Sequence, residues 1–555
     1  MQTVKQALLT KSLDWGDSGA EKGEVFTKPE IVNLMLVASG LFNNLESIGT
    51  RILEPSCGQG EFVLAIVRHL CKRIEQSGSK LPIAQLERLI TAYDISYSNL
   101  EIARNEVKKE LSPYYCPSEI DLILNNWFVH GDFLLADFDF KFTHIVGNPP
   151  YIRIETIPLE LLKEYRRRFH TMIERADIYI AFYEKCLDLL APNGTLSFIC
   201  TDRWTKNRYG SKLREKIASG YQLDLFIDLY GQNAFLSDVL TYPAITQISH
   251  KKQKNTVLFH NPYIDDEFSL SLNNLLSGKP AKFNSNNQII NRNDIVKNNS
   301  PWLFGSSDEL SMIARLEADY PTLEDAGCLV YIGAATGNNK VYIVDSTLKI
   351  EECRKIPVIT AKELRSGDIL SSGNFIINTY DEQGVLDLCK YPLLSRYLYK
   401  HEDALKSRHV AKSSPNHWYK TIDRVYPNRA KQPKLLIPDI KSELTVIFDD
   451  GKYHPNNSIY YICSNSWNLH ALKALLLSGI GQIFVQAYST KVSGGNLRFQ
   501  SQHLRKIRIP YWDSINQETQ EELIEAGRTN DINLAKVLAS QVYNLNEKEM
   551  QIIGM

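Results

Sequence analysis

Two short stretches of this chain hold residue types from which a group-transfer site can be built. Glu54-Pro55-Ser56-Cys57-Gly58-Gln59-Gly60 follows the apolar run Arg51-Ile52-Leu53, and Asn148-Pro149-Pro150-Tyr151 follows Phe142-Thr143-His144-Ile145-Val146-Gly147. In the first, Gly58 and Gly60 let the backbone approach a ligand closely. The helix expected after them offers its N-terminal amides. Ser56 and Cys57 complete the turn, and Glu54, at a strand end, can pair with an ammonium group. In the second, Pro149 and Pro150 remove amide donors and stiffen the chain. The Asn148 side-chain carbonyl and a proline carbonyl can then accept both hydrogens of one amino group.

An amine on an aromatic ring is a poor nucleophile, because its lone pair is delocalised into the ring. Two acceptors favour a more tetrahedral nitrogen and aim its lone pair at an electrophile. Tyr151 would stack on the ring. Such a site needs no strong general base and works by positioning and electrostatics. Taken singly, each stretch also reads as an ordinary Gly turn or a Pro-rich surface turn. The pair implies an enzyme that brings S-adenosyl-L-methionine to an amine nitrogen, and the exocyclic amine of adenine in DNA fits best. A base in a duplex must leave the stack to be reached. A second aromatic wall is therefore expected, with Phe235 favoured and Tyr242 as its rival.

The elements around these turns alternate in type. Helix-like segments span 29–42, 62–74 and 178–190; strand-like segments span 52–53, 89–95, 142–147, 195–201, 223–229 and 242–248. This alternation predicts an α/β fold, a Rossmann-like, mostly parallel sheet with helices on both faces. Ligands then sit beyond the carboxyl ends of the strands. Asp94 falls at such an end, placed like the acid that holds a ribose hydroxyl pair. Asp132 could accept from the cofactor's adenine amine, with Phe133 against the ring. Helix or loop capping is the structural alternative for both acids. The stretch from Arg203 to Lys216, containing Lys206, Arg208, Lys212 and Arg214, has six positive residues and one Glu. It suits phosphate contact, or equally a solvated helix face.

Residues 1–250 are read as the catalytic domain and 251–300, Asn-rich and opened by Lys251-Lys252-Gln253-Lys254, as a boundary without a core element. Residues 301–555 are read as a mixed α+β recognition domain. That region holds a Gly-rich loop, 332–340, and basic-aromatic clusters at 408–420, 424–434 and 491–508. Such mixtures suit phosphate and base contacts.

The bulk composition agrees with this outline. At 555 residues, 43% hydrophobic and 23% charged, the chain is long enough for two or three globular domains. The net charge of −1 does not advertise a polyanion partner, so DNA contact must come from local patches. The first 250 residues carry a net −4 and the remainder +3. Nine cysteines without a Cys-x-x-Cys argue for reduced thiols rather than a disulfide framework or a zinc site. Neither a signal peptide nor a bilayer-spanning run is read in the sequence, so a cytoplasmic location is expected.

These residues together resemble the γ-class of DNA adenine-N6 methyltransferases, the TaqI-like family of restriction-modification systems. The resemblance also covers Gly23-Glu24-Val25-Phe26-Thr27-Lys28-Pro29-Glu30-Ile31, Arg175 to Glu184, and Leu196 to Cys200. It implies that Phe26, Thr27 and Pro29 belong to a cofactor segment, with Thr27 and its neighbours near the methionine part. It also implies that the target-recognition domain comes last, that double-stranded DNA is the partner, and that a separate cognate restriction endonuclease acts on the same site. Ile152-Arg153 after Tyr151 departs from the smallest members and resembles the larger ones. Pro438-Asp439 followed by Asp450-Gly451-Lys452 fits a loose nuclease pattern, which would make the chain a fused restriction enzyme and methyltransferase. Methylation of RNA adenine or of a protein glutamine are rival activities, and a non-catalytic specificity subunit is a rival of another class.

Overall fold

The computed structural model describes residues 23–237, 242–250, 255–284, 287, 289–292, 295–365, 367–492 and 495–555. Lys251-Lys252-Gln253-Lys254, named above, and Ser285-Asn286, within the Asn-rich stretch, lie outside them. The chain divides into two compact units, Met1–Phe304 and Gly305–Met555.

The first unit is built on a nine-stranded sheet. Its strands are β1 (Ile52–Glu54), β2 (Ile90–Asp94), β3 (Phe128–His130), β4 (Phe142–Gly147), β5 (Leu190–Thr201), β6 (Gln222–Asp228), β7 (Pro243–Ser249), β8 (Thr256–His260) and β9 (Ile290–Arg292), in the order β3-β2-β1-β4-β5-β7-β6-β8-β9. The pairs from β3 to β5 and the pair β6–β8 are parallel; β7 runs antiparallel to β5 and β6, and β9 to β8. The chain winds outward from β1 to β3, then returns to β4 and proceeds the other way. β1 and β4 are therefore neighbours, with Leu53 opposite Ile145. Beyond their carboxyl ends opens the crevice of a topological switch point, and both the Glu54 and the Asn148 turns lie there.

Helices cover both faces. On one, α1 (Pro29–Ala38), α2 (Glu61–Ser77), α3 (Tyr97–Leu111) and α4 (Pro117–Trp127) share a core with Ile52, Ile90 and Val146. On the other, α5 (Leu159–Arg168), α6 (Tyr179–Leu189) and α7 (Ser211–Gly220) pack with Leu53, Ile145 and Phe198. The stripe on α2 is typical: Phe62, Val63, Ile66, Val67 and Leu70 recur at helical spacing and are buried. Gly78 ends that helix with φ 68°, its amide on the Ile74 carbonyl. The helix expected over 29–42 is shorter. It stops at Ala38, and Gly40, at φ 70°, starts a separate turn, Leu41–Asn44.

The segment 251–300 corrects the expectation of a boundary without a core element. It contributes β8, β9 and the helix α8 (Asp266–Leu276), with Leu258, Phe259 and Leu272 fully buried. Its polar, Asn-rich composition belongs to the loops and hides two sheet strands; the units divide at Phe304.

The second unit is α+β. An antiparallel sheet orders Cys328–Ile332, Ile459–Ser464, Lys434–Pro438 and Ile447–Asp449. Apolar residues of this sheet share a core with the helices Leu469–Leu477, Gln517–Thr529 and Ile532–Val542. A second four-stranded sheet includes Lys355–Ile359 and Phe375–Ile377. Within the first of these sheets Lys434 and Asp449, opposite each other on adjacent strands, form a wholly buried ion pair at 2.7 Å. Lys434 Nζ also donates to the Ala430 and Gln432 carbonyls, and Asp449 accepts from the amides of Lys452 and Tyr453.

Arg408, read above as part of a basic-aromatic cluster, donates to the Thr336, Trp418 and Lys420 carbonyls and ties the Gly-rich loop to that cluster. The residues of the nuclease-like pattern serve the fold instead. Asp439 is ion-paired to Arg498, Asp450 to Lys452, and Gly451 makes a turn at φ 93°. Among the described residues no group of three His, Cys, Asp or Glu side chains could hold a metal ion. Among them, too, no single helix is long and apolar enough to cross a membrane.

Candidate active site

The Asn148 turn is held by a strap formed of residues 23–28. The Tyr151 amide donates to the Gly23 carbonyl at 3.3 Å, and the Asn148 side-chain amide donates to the Val25 carbonyl at 2.7 Å. The same amide reaches Thr27 Oγ1 at 3.3 Å. Because a carbonyl can only accept, these contacts fix which end of the Asn148 amide is nitrogen. Its oxygen, Oδ1, is buried and has no hydrogen-bond partner. A buried acceptor left open costs free energy of roughly 1–3 kcal/mol, so the turn presents an unfilled place for a donor. The other edge of the strap joins the far end of the unit: Lys28 donates to the Ala234 carbonyl, Leu236 to the Phe26 carbonyl, and Thr27 bridges Phe235.

Beside Asn148 lies a cleft of about 1040 Å³, open solvent included, at the switch point. Of the sequence candidates it brings together Phe26, Thr27, Glu54, Ser56, Cys57, Gly58, Asp94, Asp132, Phe133, Asn148, Pro149 and Pro150. Ser56 Oγ donates to the Asn148 carbonyl at 3.2 Å, which ties the two turns. Gly58 has φ 52°, and a Cβ there would come 3.2 Å from the Phe26 ring.

The acids differ in their surroundings. Asp94 accepts from the Gly58 and Ser96 amides, both at 2.8 Å, and so shapes the turn. Asp132 caps the turn 133–135 through the Leu134 amide and accepts from the Tyr165 hydroxyl at 2.6 Å. The capping reading therefore holds for Asp132 alongside its place in the cleft, whereas the N-cap of α3 is Ser96 and Asp94 braces the Gly turn. Glu54 is 2% exposed, and its Oε2 has no partner. Burial, then the charges of Glu61 and Asp94, push its carboxyl well above the usual range. Such a carboxylate lacks a cation.

Three candidates sit elsewhere than expected. Gly60, at φ 91°, faces α3: a Cβ would lie 2.9 Å from the Ala103 Cβ, so this glycine serves helix packing. Pro29 is the first residue of α1 and does not line the cleft. Phe235, expected as the second wall for a base, is 3% exposed and packed in the core. Its ring meets Tyr151 edge-on at 6.4 Å and 71°, whereas two walls holding a planar base would lie parallel. The rival, Tyr242, stacks on Tyr230. Tyr151 itself lies between the two helical cores, edge-on to Tyr179.

With this geometry in view, comparison with known proteins is specific. Residues 63–235 match the Eco57I restriction-modification methylase family, and 387–509 the TaqI-like C-terminal specificity domain. The chain is 42% identical to the type II methyltransferase M.XhoI of Xanthomonas vasicola over 96% of its own length and 99% of that protein's. It is 40% identical to M.PaeR7I of Pseudomonas aeruginosa, covering 96% and 93%. The chain belongs to the TaqI-like methyltransferases of type II restriction-modification systems. As a member of that family it is a DNA methyltransferase. Among solved structures, the type IIL restriction-modification enzyme MmeI matches with a TM-score of 0.62 at 13% identity, over 94% of this chain and 76% of that one; this supports the fold alone.

In this methyltransferase the basic stretch after β5 divides. Arg214 is 2% exposed and donates to the Trp204, Asn207, Asn299 and Ser300 carbonyls. Burial lowers its pKa to about 10. It clamps the end of the first unit onto its own helix, which removes it from the candidates for phosphate contact. Arg208 is largely exposed and paired with Glu174, and Lys212 is paired with Glu215. Arg203 favours the ionised form of Asp177, whose pKa burial raises to about 6. Lys206 is partly buried.

Sequence reasoning missed three residues of the site. Glu61, Tyr165 and Lys185 belong to no motif, although Glu61 directly follows the Gly turn. Lys185 is buried and holds the Phe133 and Ala136 carbonyls, with its Nζ 4.5 Å from the centre of the Phe133 ring.

Proposed function

We propose that this methyltransferase transfers a methyl group from S-adenosyl-L-methionine to the N6 amine of an adenine flipped out of double-stranded DNA. The observation that carries this reading is the pairing of an unpartnered, orientation-fixed Asn148 Oδ1 with an acid-lined cleft beside it. S-adenosyl-L-methionine, when bound, supplies an electrophilic methyl group. Asn148 Oδ1 accepts one hydrogen of the target amine, and a proline carbonyl of the same turn accepts the other. The two acceptors localise the nitrogen lone pair, and the proton leaves after transfer.

The fit of the cofactor rests on chemistry present in the cleft. Glu54 Oε2 lacks a cation, Phe133 and Phe26 offer apolar faces, and Asp94 and Asp132 stand where hydroxyl and amine donors of a nucleoside would meet them. A planar base bound against Tyr151 requires Phe235 or Tyr242 to leave its present edge-on or stacked position. Arg203, Lys206, Arg208 and Lys212 are assigned to DNA phosphates. Base choice belongs to the C-terminal unit, and methylation protects host DNA from a separate cognate endonuclease.

The test is expression in a host without adenine methylation, followed by single-molecule sequencing of its DNA, with Asn148→Ala alongside. Methyladenine at one sequence word is expected, with the rate in the variant lowered roughly 10²- to 10³-fold while cofactor binding persists. Unmodified DNA from a soluble protein that binds the cofactor would overturn the DNA reading. RNA and a release-factor glutamine would be the next substrates assayed.

A further inference from the structure

Every charged side chain lining the cleft is an acid: Glu24, Glu54, Glu61, Asp94 and Asp132. Three of them have polar partners inside the protein. Glu24 accepts from the Asn99 side chain, Asp94 from two backbone amides, and Asp132 from Tyr165 and the Leu134 amide. The other two differ. Glu54 accepts from the Val63 amide, but its buried Oε2 has no partner. Glu61, the first residue of α2, is half-buried and accepts from its own amide, and a Cβ at Gly58 would lie 3.7 Å from its Oε2. Its carboxylate therefore flanks the close-approach point of the Gly turn, as the Phe26 ring does. Burial raises its pKa to about 7, with Asp94 pushing the same way. An acid held in this way, next to a second buried acid that lacks a cation, is placed to receive positive charge.

We infer that Glu61 is a cofactor-contact residue that binds the ammonium of the methyl donor's amino-acid end together with Glu54. This rests on the reading of S-adenosyl-L-methionine as cofactor given above. Glu54 ends β1, and Glu61 is close enough to add to the rise of its pKa. Asp94 ends β2 and Asp132 follows β3, and these two are left for the nucleoside. Two carboxylates around one ammonium also account for an acid at position 61 that no motif requires. A charge-assisted hydrogen bond of this type is about twice as strong as a neutral one.

Calorimetric titration of the full chain with three probes tests the assignment without measuring turnover. S-adenosylmethionine carries both the sulfonium and the ammonium, S-adenosylhomocysteine keeps only the ammonium, and 5′-methylthioadenosine has neither. For Glu61→Gln, affinity for the first two is expected to fall at least about tenfold and for the third less than about twofold. Glu61→Asp is expected to recover part of the loss. An equal loss for all three probes would mean that Glu61 only shapes the turn. Loss for S-adenosylmethionine alone would move the contact to the sulfonium. Unchanged binding would remove Glu61 from the site. Each of these results overturns the assignment. If the wild-type chain binds none of the probes, the cofactor reading itself fails, and this inference fails with it.

Discussion

Each unit buries a carboxylate, and the two are treated in opposite ways. In the second unit Asp449 is fully enclosed and saturated: Lys434 faces it at 2.7 Å and two backbone amides complete it. In the first unit Glu54 is nearly as enclosed, yet one oxygen has no partner and its charged neighbours are acids. Burial of an uncompensated carboxylate opposes stability, and burial of a matched pair is tolerable because the geometry closes. A carboxylate that serves the fold is finished inside the fold. One that serves a ligand is left short by the charge the ligand brings.

The sharpest way to break this comparison is to remove both carboxylates. Asp449→Ala strands the Lys434 ammonium in the core and is expected to cost about 3–5 kcal/mol in urea unfolding. Glu54→Gln is expected to leave the stability of the ligand-free protein unchanged or raised while weakening S-adenosylmethionine binding more than about tenfold. A similar stability loss in both variants would erase the distinction.

A smaller contrast lies within the basic stretch. Arg214→Leu leaves several carbonyls unsatisfied and is expected to cost about 2–3 kcal/mol, with the salt dependence of DNA binding unchanged. Arg208→Ala is expected to keep stability within about 0.5 kcal/mol and to reduce the salt slope by about one phosphate contact. A salt slope in Arg208→Ala equal to that of the wild type would remove that residue from the DNA surface.

The remaining effect concerns pH and is shared by the units. His144 in the first and His454 in the second are buried, and burial lowers each pKa to about 4. The unfolded chain takes up these protons near pH 6.5 and the folded chain only near 4. Each histidine therefore supports stability fully above 6.5, and this support is lost as pH falls through the window towards 4. Chemical unfolding between pH 7.5 and 4.5 should show the decline, reduced in His144→Gln and in His454→Gln. Identical pH profiles for the variants and the wild type would place the acid sensitivity elsewhere.

The residues that line the cleft were legible because backbone constraints leave marks in sequence. Glycine at 58, prolines at 149 and 150, and acids at successive strand ends each have few alternative explanations in combination. Six of the strands from β1 to β7, all but the three-residue β3, were legible for a related reason, since strands buried on both faces read as unbroken apolar runs. What failed depended on tertiary neighbours. Gly60 is glycine because α3 passes close by, which nothing near residue 60 announces. Arg214 looks like its exposed neighbours at 206, 208 and 212, but its position on α7 turns it inward to carbonyls about 85 residues away. β8 and β9 were missed because short strands between Asn-rich loops lack a pattern of their own. Phe235 was expected as a wall parallel to Tyr151 and meets it edge-on, because an aromatic residue in sequence carries no record of its ring plane.

The strap sets where the working part of this protein begins. The segment that matches the methylase family starts at residue 63, after β1 and the whole Glu54 turn. Yet the amide that orients Asn148 is anchored at Val25, and the backbone around Phe235 is paired with residues 26–28. An expression fragment trimmed to the recognisable segment would lack β1 and the peptide that orients the Asn148 amide. For the same reason, a tag or insertion close to residue 23 would register as a loss of turnover, although it lies more than 120 positions from the residue it disturbs.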